Sequence, residues 1–555
     1  MLSRKSFRPL ANVLVLSTLC ACAASCTSPR WEGSEDYIGP TGSPSARQSA
    51  RSVSGSYPFE PSASVTEAAT APAEGPLEIT VSQAILLALE NNRALTVQRL
   101  TPSIRATYEE QERARFDPSL GGGLSATRER ARAESRTTGT MTDTTSSRTG
   151  ASAGITKFLP TGTELSVGLT TDRDWSDLYS DEHATRLGLT VTQALLRGAG
   201  LDVNLANVRQ ARLDTLSSQY ELRGFAEHLV AEVETTYWNY GLAQRQIEIF
   251  EQSLALAEQQ LSETQERINV GKLAETELAA AQAELALRRE ALINARSNLA
   301  TVSLRLLRLL NPPTGALWTR EIVLKNLPAV PEVKLDEVES HTAVALRMRP
   351  DLNQARLGVQ RGDLEVVKTK NGLLPLMDLF ISLGKTGYAD SFGGSVRDVG
   401  GKSYDISAGI GFEFPIGNRD AESRHRRAIL TRQQAEEALE NLAQLVQLDV
   451  RSGYVEVNRA LEQIAATAAT RRFQEEKLRA ETEKFRVGKS TSLLVAQTQR
   501  DLVASQISEI QAIVNYLNSL VDLFRLEGSL LERRGISAPG REPVDVLLRP
   551  DQRGG

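Results

Sequence analysis

Apolar residues follow two spacings along this chain, and each change of spacing marks a change of element. Across Glu234–Leu310 they recur at helical intervals (Leu254, Leu261, Leu278, Ala281, Leu285, Leu292) in a background of Ala, Glu, Gln and Arg, which are strong helix formers. No proline lies between Pro160 and Pro312, or between Pro415 and Pro539, so nothing forces a break. Val270-Gly271-Lys272 and Val487-Gly488-Lys489 interrupt these stretches. A glycine there can take φ > 0 at no steric cost, ending one helix and letting the next fold back. Read as one helix, Asp202–Asn269 is on the order of 100 Å long. Ala279, Ala280, Ala281 and Ala283 allow close antiparallel packing of the returning helix.

Elsewhere the spacing falls to two. Ala151–Leu159 and Glu164–Thr170 flank Pro160-Thr-Gly-Thr163, a hairpin signal, and Thr185–Thr192 alternates again before Gln193–Gly200. Met377–Leu383 and Asp405–Phe414 also read as strands. Asp117–Ala126 opens the first β region, while Thr127–Ser147, rich in Ser, Thr and Arg, carries no core signature. Alternation over about ten residues is the mark of a membrane barrel strand. An open sheet edge cannot face hydrocarbon, because its N–H and C=O groups would go unpaired. So few strands therefore call for other copies of the chain to close the wall.

The pattern is written twice. A shift of 217 residues carries Val233, Tyr237, Ala243, Gln246 and Ile247 onto Val450, Tyr454, Ala460, Gln463 and Ile464. A leading helix from Ser82, expected to cap it, has Ala88-Leu89 and Leu95 matched by Ala345-Leu346 and Leu352 at an offset of 257. A fixed period of this kind marks two copies of one unit, here residues 76–330 and 331–535, with 536–555 a C-terminal tail. The fall in offset means that the first copy holds about forty more residues ahead of its long helix.

The N-terminus reads as an export signal, residues 1–26, with basic Arg4, Lys5 and Arg8 before apolar Leu10–Leu19. Ala23-Ala-Ser-Cys26 resembles a lipobox that would make Cys26 the lipidated first residue; Leu19-Cys-Ala-Cys22 offers Cys22 as the alternative. Residues 27–75, rich in Ser, Pro, Ala, Gly and Thr, read as a flexible tether. The three cysteines all sit at this end, leaving the body without a disulfide or thiolate metal site. No later run reaches the roughly 20 apolar residues of a spanning helix, so any crossing of a membrane must be by strands. A net charge of −5 gives no reason to expect nucleic acid.

Taken in order, the duplicated leading helix (Ala88-Leu89-Glu-Asn-Asn92), the strand ending Thr192-Gln-Ala-Leu-Leu-Arg-Gly198, Tyr237 and Tyr454, and both Val-Gly-Lys turns resemble the TolC-type outer-membrane efflux proteins over about Pro76–Gly535. The resemblance implies an α+β membrane protein. Three protomers would each give four strands to one β-barrel continuous with a long α-helical coiled-coil tube in the periplasm. Its function would be the passive exit duct of a tripartite efflux or type I secretion system, working with a periplasmic adaptor and an inner-membrane efflux or ABC pump. The resemblance also implies adaptor contacts at Val270, Gly271, Lys272, Val487, Gly488 and Lys489. Some members carry two gate aspartates where this chain has Leu494 and Gln497. Glu277, at the matching place in the first copy, is the candidate pore acid here.

A periplasmic coiled-coil scaffold without transport is the reading from another class, and it leaves the alternating segments unexplained. No enzyme constellation, metal site or cofactor motif stands beside these. Gly488-Lys-Ser490 lacks the first glycine and preceding strand of a phosphate loop. His183, His228, His341 and His425 are scattered, and Arg361-Gly-Asp363 reads as a solvated charge pair on a helix.

Overall fold

The structure, a computed structural model, describes residues 60–61, 75–134, 139–177, 179–271, 273–312, 317–331 and 334–544, all within one compact unit, Tyr57–Gly555. The first part of the chain runs β1 (Glu60–Pro61), β2 (Leu77–Ile79), α1 (Val81–Asn91), α2 (Arg93–Arg113), β3 (Ser119–Glu134), β4 (Met141–Leu159), β5 (Thr163–Ser176) and β6 (Tyr179–Ala194). Then come α3 (Leu201–Asn204), α4 (Ala206–Asn269), α5 (Thr276–Leu310) and β7 (Ile322–Leu324). The second part runs α6 (Val338–Met348), α7 (Pro350–Gly372), β8 (Leu376–Ala389), α8 (Phe392–Asp398) and β9 (Tyr404–Glu413). It ends with α9 (Arg419–Arg486), α10 (Ser492–Glu527), α11 (Leu530–Arg533) and β10 (Ile536–Ser537).

The proline-free stretches give α4 and α9, of 64 and 68 residues, each about 100 Å long. At Leu205 the chain separates a single turn, α3, from α4. The cap of α1 is Thr80, not Ser82: its hydroxyl accepts from the Gln83 N–H at 3.2 Å while the Gln83 side chain accepts from the Thr80 N–H at 3.0 Å. This reciprocal box satisfies two orphan donors, which a serine at the second helical position cannot do.

Six strands form one antiparallel sheet in the order β3-β4-β5-β6-β8-β9. It is open, with β3 and β9 as its edges. The resemblance implied four strands, whereas the alternating segments already included Ala151–Leu159, the second half of β4; the structure adds β3 and extends β4 back to Met141, so that the β3–β4 hairpin takes up Thr127–Ser147, the stretch that lacked a core signature. Beyond Ala126 this hairpin is polar on both faces and held by cross-strand ion pairs, Arg130–Asp143 and Arg132–Asp143 at 3.1 Å. Backbone pairing sustains it without an apolar stripe to announce it.

The core lies where the C-terminal ends of α5 and α10 and the short helices pack against the interiors of α4 and α9, around fully buried Leu77, Leu222, Leu306, Val446, Val450, Leu523 and Leu530. Tyr237 of α4 donates to the Ile79 carbonyl at 3.1 Å and accepts from the Asn326 N–H at 3.2 Å, and Tyr240 donates to the Ile322 carbonyl at 3.0 Å. The parallel β2–β7 pair is thereby pinned to the helix. Part of the expected tether and tail also belongs here: Glu60 and Pro61 pair with Ser537 and Ile536, and the Val544 N–H donates to Asn353 Oδ1 at 2.9 Å.

Charges buried beside this core are unevenly matched. Arg223, fully buried, faces Glu227 at 3.2 Å and Glu532 at 2.6 Å, and donates to the Gly528 carbonyl at 3.1 Å. One cation cannot neutralise two carboxylates in a dry site. Burial pushes the Glu227 carboxyl up from 4.5 to about 8. The folded state then binds a proton that the unfolded chain releases, so this group stabilises fully below pH 4.5 and progressively less up to about pH 8. Thermal unfolding of the purified protein should show stability falling by at most about 1.4 kcal/mol per pH unit across that window. Glu227→Gln should flatten the profile; an unchanged slope would rule out Glu227 as its source.

Candidate functional site

The register of the sheet sorts its side chains into rows that cross all six strands. Leu120, Ile155, Val167, Leu189, Leu383 and Ile406 are successive partners, one from each strand, and form an apolar row on one face. Leu120, Ile155, Val167 and Ile406 are left uncovered, Leu120 at 79 % exposure and Ile406 at 65 %, while Leu189 and Leu383 are half-buried. On the opposite face the neighbouring row is Ser119, Thr156, Ser166, Thr190, Ser382 and Ser407, a hydroxyl from every strand. The row on the other side is Gly121, Gly154, Gly168, Gly188 and Gly384, ending at Asp405. Apolar on one face and hydroxyl or glycine on the other is the alternation of a wall between lipid and water. Glycines aligned on a single face let a sheet curl toward that face.

Asp405 is not left as a bare charge. Arg186 lies across the glycine row to reach it, at 2.6 and 3.2 Å. A Cβ on Gly384 would stand 2.3 Å from Asp405 Oδ1 and 2.7 Å from Arg186 Nε. On the apolar-bearing face, α8 covers the far end of the sheet: Ser395 Oγ is 2.7 Å from Thr185 Oγ1, and a Cβ on Gly387 would stand 2.1 Å from the Ser395 carbonyl.

At the other end of the long helices, Gly271 and Gly488 have φ of 75° and 74°. After α9 the turn is complete: Gly488 N–H donates to the Phe485 carbonyl at 3.1 Å and Lys489 N–H to the Lys484 carbonyl at 2.8 Å, which is the Schellman closure that glycine favours. Val270 and Val487 are about equally exposed, at 67 % and 66 %, with Leu493 and Leu494 uncovered near the second turn. The two hairpins touch each other there. Arg267 stacks over the Phe485 ring at 5.0 Å, and Ser492 hydrogen-bonds the Glu277 carboxylate. Glu277 is thus half-buried and tied to the start of α10. Close by, hydrogen bonds from Ser490 and Lys484 hold the Glu481 carboxyl below its ordinary range.

Of the other residues singled out from sequence, Gln497 is exposed, and Cys22, Cys26 and Lys272 lie outside the described residues. Arg361 and Asp363 do not pair with each other: Arg361 meets Asp214 of α4 at 3.0 Å, and Asp363 meets Arg432 of α9. His341 Nδ1 is 2.8 Å from buried Glu527, and His425 is 3.2 Å from Thr369. Among the described residues no cluster of three or more His, Cys, Asp or Glu is placed to hold a metal, and no helix is long and apolar enough to cross a membrane. The Arg186–Asp405 pair and the Glu277–Ser492 contact were not anticipated, since each joins residues more than 200 positions apart.

A two-faced sheet built onto long helical hairpins is the construction of an outer-membrane channel. The profile of the family described as "Outer membrane efflux protein" matches residues 84–312 and 343–529, and the chain belongs to that family. It is similar to the outer membrane protein TolC of Escherichia coli (strain K12), at 26 % identity over 386 residues, covering 66 % of this chain and 75 % of that one. The outer membrane efflux protein BepC of Brucella suis biovar 1 (strain 1330) is 24 % identical over 309 residues, 55 % of this chain and 64 % of its own length. In fold, the OprN outer-membrane channel superposes with a TM-score of 0.62 at 16 % identity, over 81 % of this chain and 90 % of that one. The Campylobacter jejuni CmeC outer membrane channel gives 0.61 at 16 %, over 82 % and 89 %. The protein is therefore an outer-membrane efflux protein of the Gram-negative type, and it is not an enzyme.

Proposed function

We propose that three copies of this chain close their sheets into one barrel and their helices into one periplasmic tube, the passive exit duct of a tripartite efflux or type I secretion assembly. The observation that carries this reading is the apolar row running to both open edges of the sheet, Leu120 at β3 and Ile406 at β9. In lipid those edges need partner strands, and a second copy supplies them. The helices call for lateral cover too: Val97, Leu100, Ile104 and Tyr108 make an uncovered stripe along α2 at helical spacing. A periplasmic scaffold would have no use for the apolar row.

In this reading the exposed valines of both turns, with Gly271, Gly488, Lys489 and Lys272, meet a periplasmic adaptor that links the duct to an inner-membrane efflux or ABC pump. Glu277 serves as the pore acid from its place at the hairpin contact. Lipid on Cys26, or on Cys22, assists anchoring, because one acyl chain alone binds a membrane only marginally. The test is crosslinking in cells from a cysteine at Lys489 or Lys272. Covalent adducts to one periplasmic partner are expected from these positions and not from exposed Glu422, near the sheet end of α9. Export that proceeds without such adducts would refute tip docking.

A further inference from the structure

We infer that the β3–β4 hairpin is part of the barrel wall and that β9 of one copy pairs with β3 of the next, so that three copies enclose eighteen strands rather than twelve. The inference rests on the duct reading above, in that copies of this chain close the wall. What it adds is which edge meets which, and how wide the bore becomes.

The alternative is a hairpin that swings away as a polar flap, leaving β5 to pair with β9 of the neighbour. Three observations oppose it. The β4–β5 pairing runs from Leu159↔Thr163 to Ser146↔Ser176 without a register shift, so nothing at that seam marks a hinge. The three rows of the sheet do not stop at β5. The apolar row continues through Ile155 to Leu120, the hydroxyl row through Thr156 to Ser119, and the glycine row through Gly154 to Gly121. A flap in water would have no need for outward leucines, yet Leu120 and Leu124 stand 79 % and 89 % exposed, where lipid would cover them. The glycines matter most, because a row of them on one face belongs to a sheet that curves, and it spans β3 and β4 as it spans β5, β6 and β8.

The count of strands also satisfies the direction of closure. Six alternating strands per copy leave β9 running antiparallel to the β3 that follows it, as a closed antiparallel barrel requires. At a strand spacing of about 4.8 Å and a tilt of about 40°, eighteen strands give a backbone diameter of roughly 36 Å against roughly 24 Å for twelve. Beside the glycine and hydroxyl rows the hairpin's inward side chains are small, Ser119, Gly121, Gly123, Ser152, Gly154 and Thr156, while Glu129 and Arg148 stand on the same face further along the strands, so the extra width is open at the rows and charged beyond them. Such a bore suits bulky hydrated cargo.

The experiment uses the full chain purified from outer membranes. Leu124→Cys is combined in turn with Tyr404→Cys, Ile406→Cys, Ala408→Cys and Ile410→Cys, all on the outward face, and the parent chain controls for its three N-terminal cysteines. Oxidation of at least one pair should give covalent ladders reaching three copies, and electron microscopy of the same sample should count eighteen strands. Leu169→Cys on β5, tested with the same series, should not link copies. Ladders from Leu169→Cys with none from Leu124→Cys, or a count of twelve, would overturn the inference while leaving the duct intact. Single copies with a self-closed sheet and no ladder from either strand would overturn both.

Discussion

Arg534→Ala should destabilise the folded helical body by about 3–5 kcal/mol, the cost of leaving a buried charge without its partner. Arg534 holds Glu234 of α4 through two hydrogen bonds of 2.6 Å, and Glu234 is fully buried. Burial pushes the Glu234 carboxyl up, and the guanidinium opposes that shift. With the arginine gone, the folded state must keep Glu234 protonated where the unfolded chain releases the proton. Stability of the variant should then be retained below the ordinary carboxylate range and fall as pH rises. Thermal unfolding in detergent at acidic and neutral pH measures this. The loss should shrink on acidification, and Glu234→Leu with Arg534→Met should recover most of it, since an apolar pair of similar volume replaces a buried ion pair at little cost. Melting like the parent at neutral pH would show that α11 and the segment after it do not anchor α4.

How much of this was legible in the sequence depends on where the signal is stored. The long helices and their turns are local: a proline-free run, apolar residues at helical spacing and one glycine suffice, and the structure places Gly271 and Gly488 at positive φ. The turn at Leu159–Thr163 is equally local, with Gly162 at φ 88° and its N–H donating to the Leu159 carbonyl at 3.0 Å. The β3–β4 hairpin is different. Its outward positions Gly122, Ala126, Ala151 and Ala153 barely register as apolar, so alternation is present in the chain but weak in its signal. The rows of the sheet cannot be read from one strand at all. Leu120 and Ile406 become members of one row only through the pairing of the four strands between them. The same holds at the tips, where nothing near Glu277, the candidate pore acid, announces Ser492, 215 positions away, as its partner.

Gly488→Val should weaken adaptor docking and export roughly tenfold while leaving the sheet and the assembly of copies intact. No atom lies within 4 Å of the place a Cβ would occupy on Gly488, so the substitution meets no clash. What it meets is the backbone: φ is 74°, a conformation costing a non-glycine residue about 1–2 kcal/mol and a β-branched residue more. The turn can relieve that strain by giving up the Gly488→Phe485 and Lys489→Lys484 hydrogen bonds, which would re-aim Val487 and Lys489. The damage should stay local, because the sheet begins at the far end of a 68-residue helix, about 100 Å away. Crosslinking from a cysteine at Lys489 should fall roughly tenfold, the effect of about 1.4 kcal/mol, with Gly488→Ala milder because alanine is not β-branched. The yield of assembled copies is followed in the same samples. Failure of assembly in Gly488→Val would make the turn a folding determinant of the whole helical body, and undiminished crosslinking and export would place the working end of the molecule elsewhere.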